Sequence, residues 1–166
     1  MAYLLRDEIL APRNAIVIEY SGPNPFSVFG KIDQLFKTIF EAKGTNMFED
    51  DFRWDVSADP NPFFFKYAVK RRLDKWTGFE VKTKVQGAQP KDKTKSGWVK
   101  IEISGTLQTE VPIQNQLVRA IWMPFFYAYM VAYYAKVRRR YIQSLNRGIE
   151  SLEAELRTFF KIPVRA

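Results

Sequence analysis

Apolar residues recur along this chain in two rhythms, at alternate positions through most of its first two thirds and at every third or fourth position near its end. The run Ala15 to Tyr20 (AIVIEY) is short and β-branched, which predicts a strand with one buried face, ended by a turn from Ser21 to Pro25. Phe26, Phe29, Ile32, Leu35, Phe36, Ile39 and Phe40 follow at helical spacing. Gly44 stands after Lys43 where such a helix would close, and Gly30 offers a place for it to break. From Asn46 to Val56 the pattern alternates, with Phe48, Phe52, Trp54 and Val56 on one side and Glu49, Asp51, Arg53 and Asp55 on the other. Three more strands of this kind follow. Phe63, Phe65, Tyr67, Val69 and Leu73 oppose Lys66, Lys70 and Arg72; Phe79, Val81, Thr83 and Val85 oppose Glu80, Lys82 and Lys84; Val99, Ile101, Ile103 and Leu107 oppose Lys100, Glu102 and Ser104. The polar stretch Gln86 to Gly97 (QGAQPKDKTKSG) reads as an exposed hairpin tip.

The last third predicts one long helical segment, Ile113 to Phe160, entered through Pro112. Ala120 to Ala135 holds no charge at all (AIWMPFFYAYMVAYYA), so no side of it is patterned for water. Beyond it Ile142, Leu145, Ile149, Leu152, Leu156 and Phe159 form an amphipathic stripe between Arg147, Glu150, Glu153 and Arg157. Unbroken, the segment would be about 70 Å long, against a radius of gyration of about 15 Å for a compact domain of this size. Pro124 is therefore expected to kink it, and Arg147 with Gly148 to end a first piece. The uncharged half is expected to be the part the sheet covers, with Ala128, Ala132 and Ala135 letting backbone approach sheet. That places a domain boundary after residue 141. Residues 142–166 become an amphipathic extension, which folds back on its own domain or meets a protein partner, or a second copy, through residues 142–159.

Strand, helix, antiparallel meander and long helix, in that order, predict an α+β fold in which a curved antiparallel sheet wraps around a long C-terminal helix. In element order and patterning over about residues 14–140 the chain resembles the helix-grip superfamily of START-like and polyketide-cyclase-like (SRPBCC) domains. The resemblance implies a hydrophobic cavity between sheet and helix, able to carry or sense a lipid or another small hydrophobic ligand. Trp54, Phe65, Tyr67, Trp122, Phe126, Tyr129 and Tyr133 are the residues expected to line it. Two features depart from that pattern: the final helix is longer than the fold needs, and the interior positions are crowded with aromatic rings able to fill a cavity.

Composition narrows the chemistry. The 166 residues include no cysteine and no histidine, which removes disulfides, thiolate chemistry, the usual general base and the usual zinc ligands. Carboxylates alone are left as catalytic candidates. Glu49 and Asp51, two apart on a strand, would share a face and hold a divalent ion weakly, but a solvated acidic edge explains them as well. With no glycine-rich phosphate loop and no nucleophile beside a base, the expectation is a non-enzymatic protein without cofactor or metal. The opening MAYLLRDEIL is too soon interrupted by charge to read as a signal peptide, and the expected location is the cytoplasm. A membrane span is not expected either, because sixteen uncharged helical residues cover about 24 Å against a hydrocarbon core of roughly 30 Å.

Charge supplies the candidate function. The net charge is +8, and residues 61–100 alone carry 11 basic and 3 acidic residues. If the apolar faces all point at the helix, Lys66, Lys70, Arg72, Lys82, Lys84 and Lys100 share the opposite face of the sheet, and Lys91, Lys93 and Lys95 extend it from the hairpin tip. In the simplest registers Lys70, Lys82 and Lys100 would face one another across strands, at a cost of a few tenths to about 1 kcal/mol. A bound polyanion would relieve that cost, while Glu49, Asp51 and Asp55 on the preceding strand would neutralise part of the row if the lysines only protect the sheet surface. Structured RNA or a ribonucleoprotein, such as a ribosomal subunit, is the expected partner, with Trp98 and Trp76 available to stack on bases and Arg138, Arg139 and Arg140 as a second cluster, which a solvated helix flank or acidic lipid beside the apolar stretch would also explain.

Overall fold

The computed structural model describes residues 2–112 and 116–163. Six strands, β1 (Ala2–Glu8), β2 (Ile16–Pro23), β3 (Met47–Trp54), β4 (Asn61–Arg72), β5 (Thr77–Gln89) and β6 (Ser96–Pro112), form one antiparallel sheet. The helices are α1 (Val28–Ile39), α2 (Gln116–Tyr129) and α3 (Ala135–Phe159), with a π-helical turn, Met130–Tyr134, joining the last two. The protein is thus an α+β fold with a curved, unclosed antiparallel sheet and a long C-terminal helix. The expected helix start at Ile113 lies outside the described residues.

The 17-residue strand β6 is the spine of the sheet. One edge pairs with β2 over its first half (Ile18 opposite Ile101) and with β1 over its second (Leu5 opposite Thr109), while the other edge pairs with β5. Strands β4 and β3 continue outward from β5. Strand β1 was not foreseen, because its alternation is mixed: register places Tyr3, Leu5 and Asp7 on the helix side and Leu4, Arg6 and Glu8 on the other. A carboxylate on the covered side hides the period-two signal.

Helices α1 and α3 cover the inner face of the sheet. Val28, Ile32, Leu35 and Phe36 from α1 and Leu145, Ile149, Leu152 and Leu156 from α3 join Phe65, Val69, Val81, Ile101 and Ile103 in one core. The expected roles of the two halves of the long helix are therefore exchanged. The amphipathic stripe, expected as an extension from residue 142 that folds back on its domain or meets a partner, does fold back on α1 and the sheet, and it is the part the sheet grips. The reason is geometric, since a sheet apolar on one face needs a helix apolar on one stripe, and a stripe backed by charge supplies that. Gly148 does not end the helix. A Cβ there would stand 3.0 Å from the Phe40 ring, so glycine lets α1 and α3 close together. Gly105 in β6 does the same for Ile149, whose Cδ1 would lie 2.8 Å from a Cβ. Nor does Gly30 interrupt α1, which runs unbroken to Ile39.

A bulge at Asp50 changes the reading of β3. The register jumps between Glu49 and Asp51, so Phe48, opposite Ala68, lies on the outer face, whereas Phe52 and Trp54, opposite Phe65 and Phe63, lie on the inner one. Glu49 and Asp51 consequently fall on opposite faces, and the expected carboxylate pair is not formed.

The uncharged segment is covered on one side only. Phe126 meets Tyr3 edge-on at 5.6 Å, and Met130 and Tyr134 are buried. Ala128 and Ala132 face solvent rather than sheet. Inward positions Phe126, Met130, Tyr134 and Arg138 are spaced by fours, which would drift around an α-helix of 3.6 residues per turn; the wider π turn absorbs that drift. No helix among the described residues is long and apolar enough to cross a membrane.

Candidate nucleic-acid interface

Strict alternation in β4, β5 and β6 carries Lys66, Lys70, Arg72, Lys82, Lys84 and Lys100 to the outer face, and β1 adds Arg6. Sequence reasoning missed Arg6 for the same reason that it missed its strand. Register decides what each cation meets. Lys70 stands opposite Glu80, Lys82 lies between Ala68 and Ser104, and Lys100 lies between Gln86 and Glu19, so these three lysines do not face one another as expected. Lys66 and Lys84 do form a directly opposed like-charged pair, flanked by Asp51 across from Lys66 and Glu102 across from Lys84.

Glutamates interleave with the row. Glu80 Oε1 lies 3.1 Å from Lys70 Nζ and 3.2 Å from Lys82 Nζ, at ion-pair distance but without hydrogen-bond alignment. Glu102 is placed likewise, 3.5 Å from Lys84 and 3.7 Å from Lys100. The four lysine side chains remain 34% to 51% exposed, so each carboxylate gathers two ammonium groups without removing them from solvent. Such exposed pairs are worth at most about 1 kcal/mol to folding. Aromatic rings floor the edge of the row: Lys66 lies 5.6 Å from the Phe64 centroid and Lys70 lies 5.2 Å from that of Phe48.

At the end of the sheet where β4 turns into β5, a shallow groove of about 720 Å³ is lined by Arg6, Lys70, Arg72, Trp76, Glu80 and Lys82. At the opposite end stands the hairpin tip. There Asp92 accepts from the Thr94 hydroxyl at 2.7 Å and the Thr94 amide at 3.0 Å, which hold its carboxyl below the usual range and shape the turn carrying Lys91, Lys93 and Lys95. Trp98, 47% exposed on the outer face, leads from the tip to Lys100.

Other expected contacts are placed elsewhere. Arg138 is buried and donates to Asp7 and to the Thr109 hydroxyl, so it joins the core and not a surface. Arg139 and Arg140 are exposed on α3, across the sheet from the lysines. Trp76 is half-buried, edge-on to Tyr134 at 5.6 Å. Donor geometry orders the polar chain between them: Arg138 donates to Thr109, leaving the Thr109 hydroxyl to donate to Thr77, Thr77 to Tyr134, and Tyr134 to Asp74 at 2.8 Å. Burial pushes the Asp74 carboxyl up, but the amides of Trp76 and Thr77 and the hydroxyls of Tyr134 and Tyr141 outweigh it and hold the group below its ordinary value. Burial, with the facing carboxylate, pushes the Tyr134 hydroxyl up to about 12. This chain pins the helix where it leaves the sheet.

The seven residues expected around a ligand cavity do not converge. Phe65 is fully buried in the core, and Tyr67 donates to Asp33 at 2.7 Å. Trp54 packs on Phe26 at the β3 edge, with centroids 4.0 Å apart, and Phe126 sits on Tyr3. Trp122 and Tyr133 point to solvent, and Tyr129, 42% exposed, leans edge-on against Trp76 at 6.5 Å. Among the described residues, no group of three or more Asp and Glu side chains is arranged to hold a metal ion.

The class defined by these features is an α+β domain with helices on one side of a curved antiparallel sheet and cations interleaved with glutamates on the other. The chain matches no protein-family model, no curated protein and no solved structure.

Proposed function

We propose that the protein is a non-enzymatic, basic helix-grip domain that binds structured RNA or a ribonucleoprotein, such as a ribosomal subunit, through the outer face of its sheet. One observation carries this reading: Lys66 and Lys84 are held directly opposite each other, on a face that continues through Lys100 and Trp98 to the three lysines of the hairpin tip. Like charges so placed cost stability in isolation and are stabilised by a phosphate between them. Glu80 and Glu102 offset part of the row's charge but leave all four of their lysines open to solvent and to phosphate. Trp98 offers a face on which an unpaired base can stack beside the phosphate contacts.

The test is binding of nuclease-treated protein to structured RNA across a salt series. Each phosphate neutralised contributes about 0.7 to 0.9 to the slope of log affinity against log salt. The combined variant Lys66→Gln/Lys84→Gln/Lys100→Gln should lower that slope by about 2 to 3 and keep its fold. Unchanged RNA association in this variant would defeat the proposal.

A further inference from the structure

The outer side of the arm formed by α2 and the π turn is an apolar surface that no described residue covers. Trp122, Phe125, Tyr129 and Tyr133 share it at helical spacing and are between 42% and 71% exposed, whereas Tyr127 and Val131 lie round the far side of the helix. Aromatic side chains present about 150 to 250 Å² each, so this uncovered surface is on the order of 500 Å², in the upper part of the range for the largest patch on a monomer. A helix apolar on its outer side as well as its inner one is built to be covered.

Charge decides what covers it. From Val111 to Ile149 the chain contains no acidic residue, and its six cations are Arg119 before the aromatic stretch and Lys136, Arg138, Arg139, Arg140 and Arg147 after it. Of the five that follow the aromatic stretch, Arg138 alone forms an ion pair among the described residues, with Asp7. A second copy of the chain would bring the same cations against these, whether two arms ran parallel or antiparallel. An anionic bilayer surface offers the opposite: apolar depth for Trp122 and Phe125, an interfacial zone that suits tyrosine hydroxyls and the indole N–H, and negative headgroups for the flanking cations. We infer that the arm docks the protein on an anionic lipid surface, with the helix lying in the headgroup region and its outer side turned into the acyl boundary. It does not cross the membrane, because one side remains packed on Tyr3 and no described helix has the length and hydropathy to span.

RNA plays no part in this contact, and the test leaves it out. Nuclease-treated protein is mixed with vesicles of phosphatidylcholine alone or of phosphatidylcholine with phosphatidylglycerol, and floated through a density step. The protein should rise with the anionic vesicles and stay behind with the neutral ones. Trp122→Ser/Phe125→Ser/Tyr133→Ser should lose binding more than about tenfold while its far-UV circular dichroism is unchanged. Phe125→Gln, a single change at the most exposed ring, should lose part of it. Lys136→Gln/Arg139→Gln/Arg140→Gln should lose roughly fivefold for each cation removed. The inference is overturned if the wild type stays with the unbound fraction, or if the aromatic variants float as well as the wild type. It is equally overturned if the chain sediments as a dimer that the aromatic substitutions dissolve, since a second copy then covers the arm.

Discussion

Replacing Leu152 by alanine removes three carbons from a side chain that is fully buried between α3, α1 and the sheet. Loss of transfer free energy alone amounts to about 2 to 3 kcal/mol, and the unfilled space adds to it, for a total of about 3 to 4 kcal/mol within the range of such substitutions. Against a global stability of about 5 to 15 kcal/mol the change is large, and for a chain of this length it corresponds to a fall in Tm of roughly 6 to 15 °C. Trp122→Ala, a larger truncation on the uncharged half, should cost under about 0.5 kcal/mol because its indole is mostly in solvent. Urea unfolding of both variants, followed by far-UV circular dichroism, measures the pair. A small loss for Leu152→Ala together with a large one for Trp122→Ala would refute the packing described, because the sheet would then grip the uncharged half.

Tyr134→Phe deletes a buried hydroxyl that donates to Asp74 and accepts from Thr77, and should cost about 1 to 2 kcal/mol in the same assay. Asp74 also sets an acid dependence. Its folded-state pKa is held below the unfolded value, so its contribution is complete above the unfolded carboxylate range of about 4 and is lost as pH falls through the folded value. Asp33, held down first by its hydrogen bond from Lys37, acts in the same direction. Unfolding free energies measured from neutral pH down to about pH 2.5 should therefore fall at the acid end. Asp74→Asn should start lower and fall less steeply; a variant that parallels the wild type throughout would contradict this.

Much of the architecture was legible because period-two alternation survives wherever a strand has one covered face. Lys66, Lys70 and Arg72 could be assigned to the outer face of β4 on that ground alone, as could Lys82 and Lys84 on β5. Alternation does not encode register, however, and register is what puts Glu80 beside Lys70 and Lys82 and sets Lys66 against Lys84. The Asp50 bulge is equally silent in the pattern: Phe48 and Phe52 have the same parity, and one extra residue sends them to opposite faces. The long helix misled for a different reason. A segment apolar on all sides reads as the deepest core, yet a sheet with one apolar face can cover only one side of it, and the amphipathic stripe from Leu145 to Leu156 fits that geometry better. Spacing by fours through Phe126, Met130, Tyr134 and Arg138 was the available signal for the π turn.

The most direct measurement on the outer face reverses the usual deletion. Glu80→Gln/Glu102→Gln removes the two carboxylates that partly neutralise Lys70, Lys82, Lys84 and Lys100, at a folding cost of no more than about 1 kcal/mol for each exposed cluster. If this face is where phosphate lies, the affinity of the variant for structured RNA at fixed salt rises several-fold. An affinity that stays the same or falls, in a variant that remains folded, would contradict the assignment of the RNA surface to this side of the sheet.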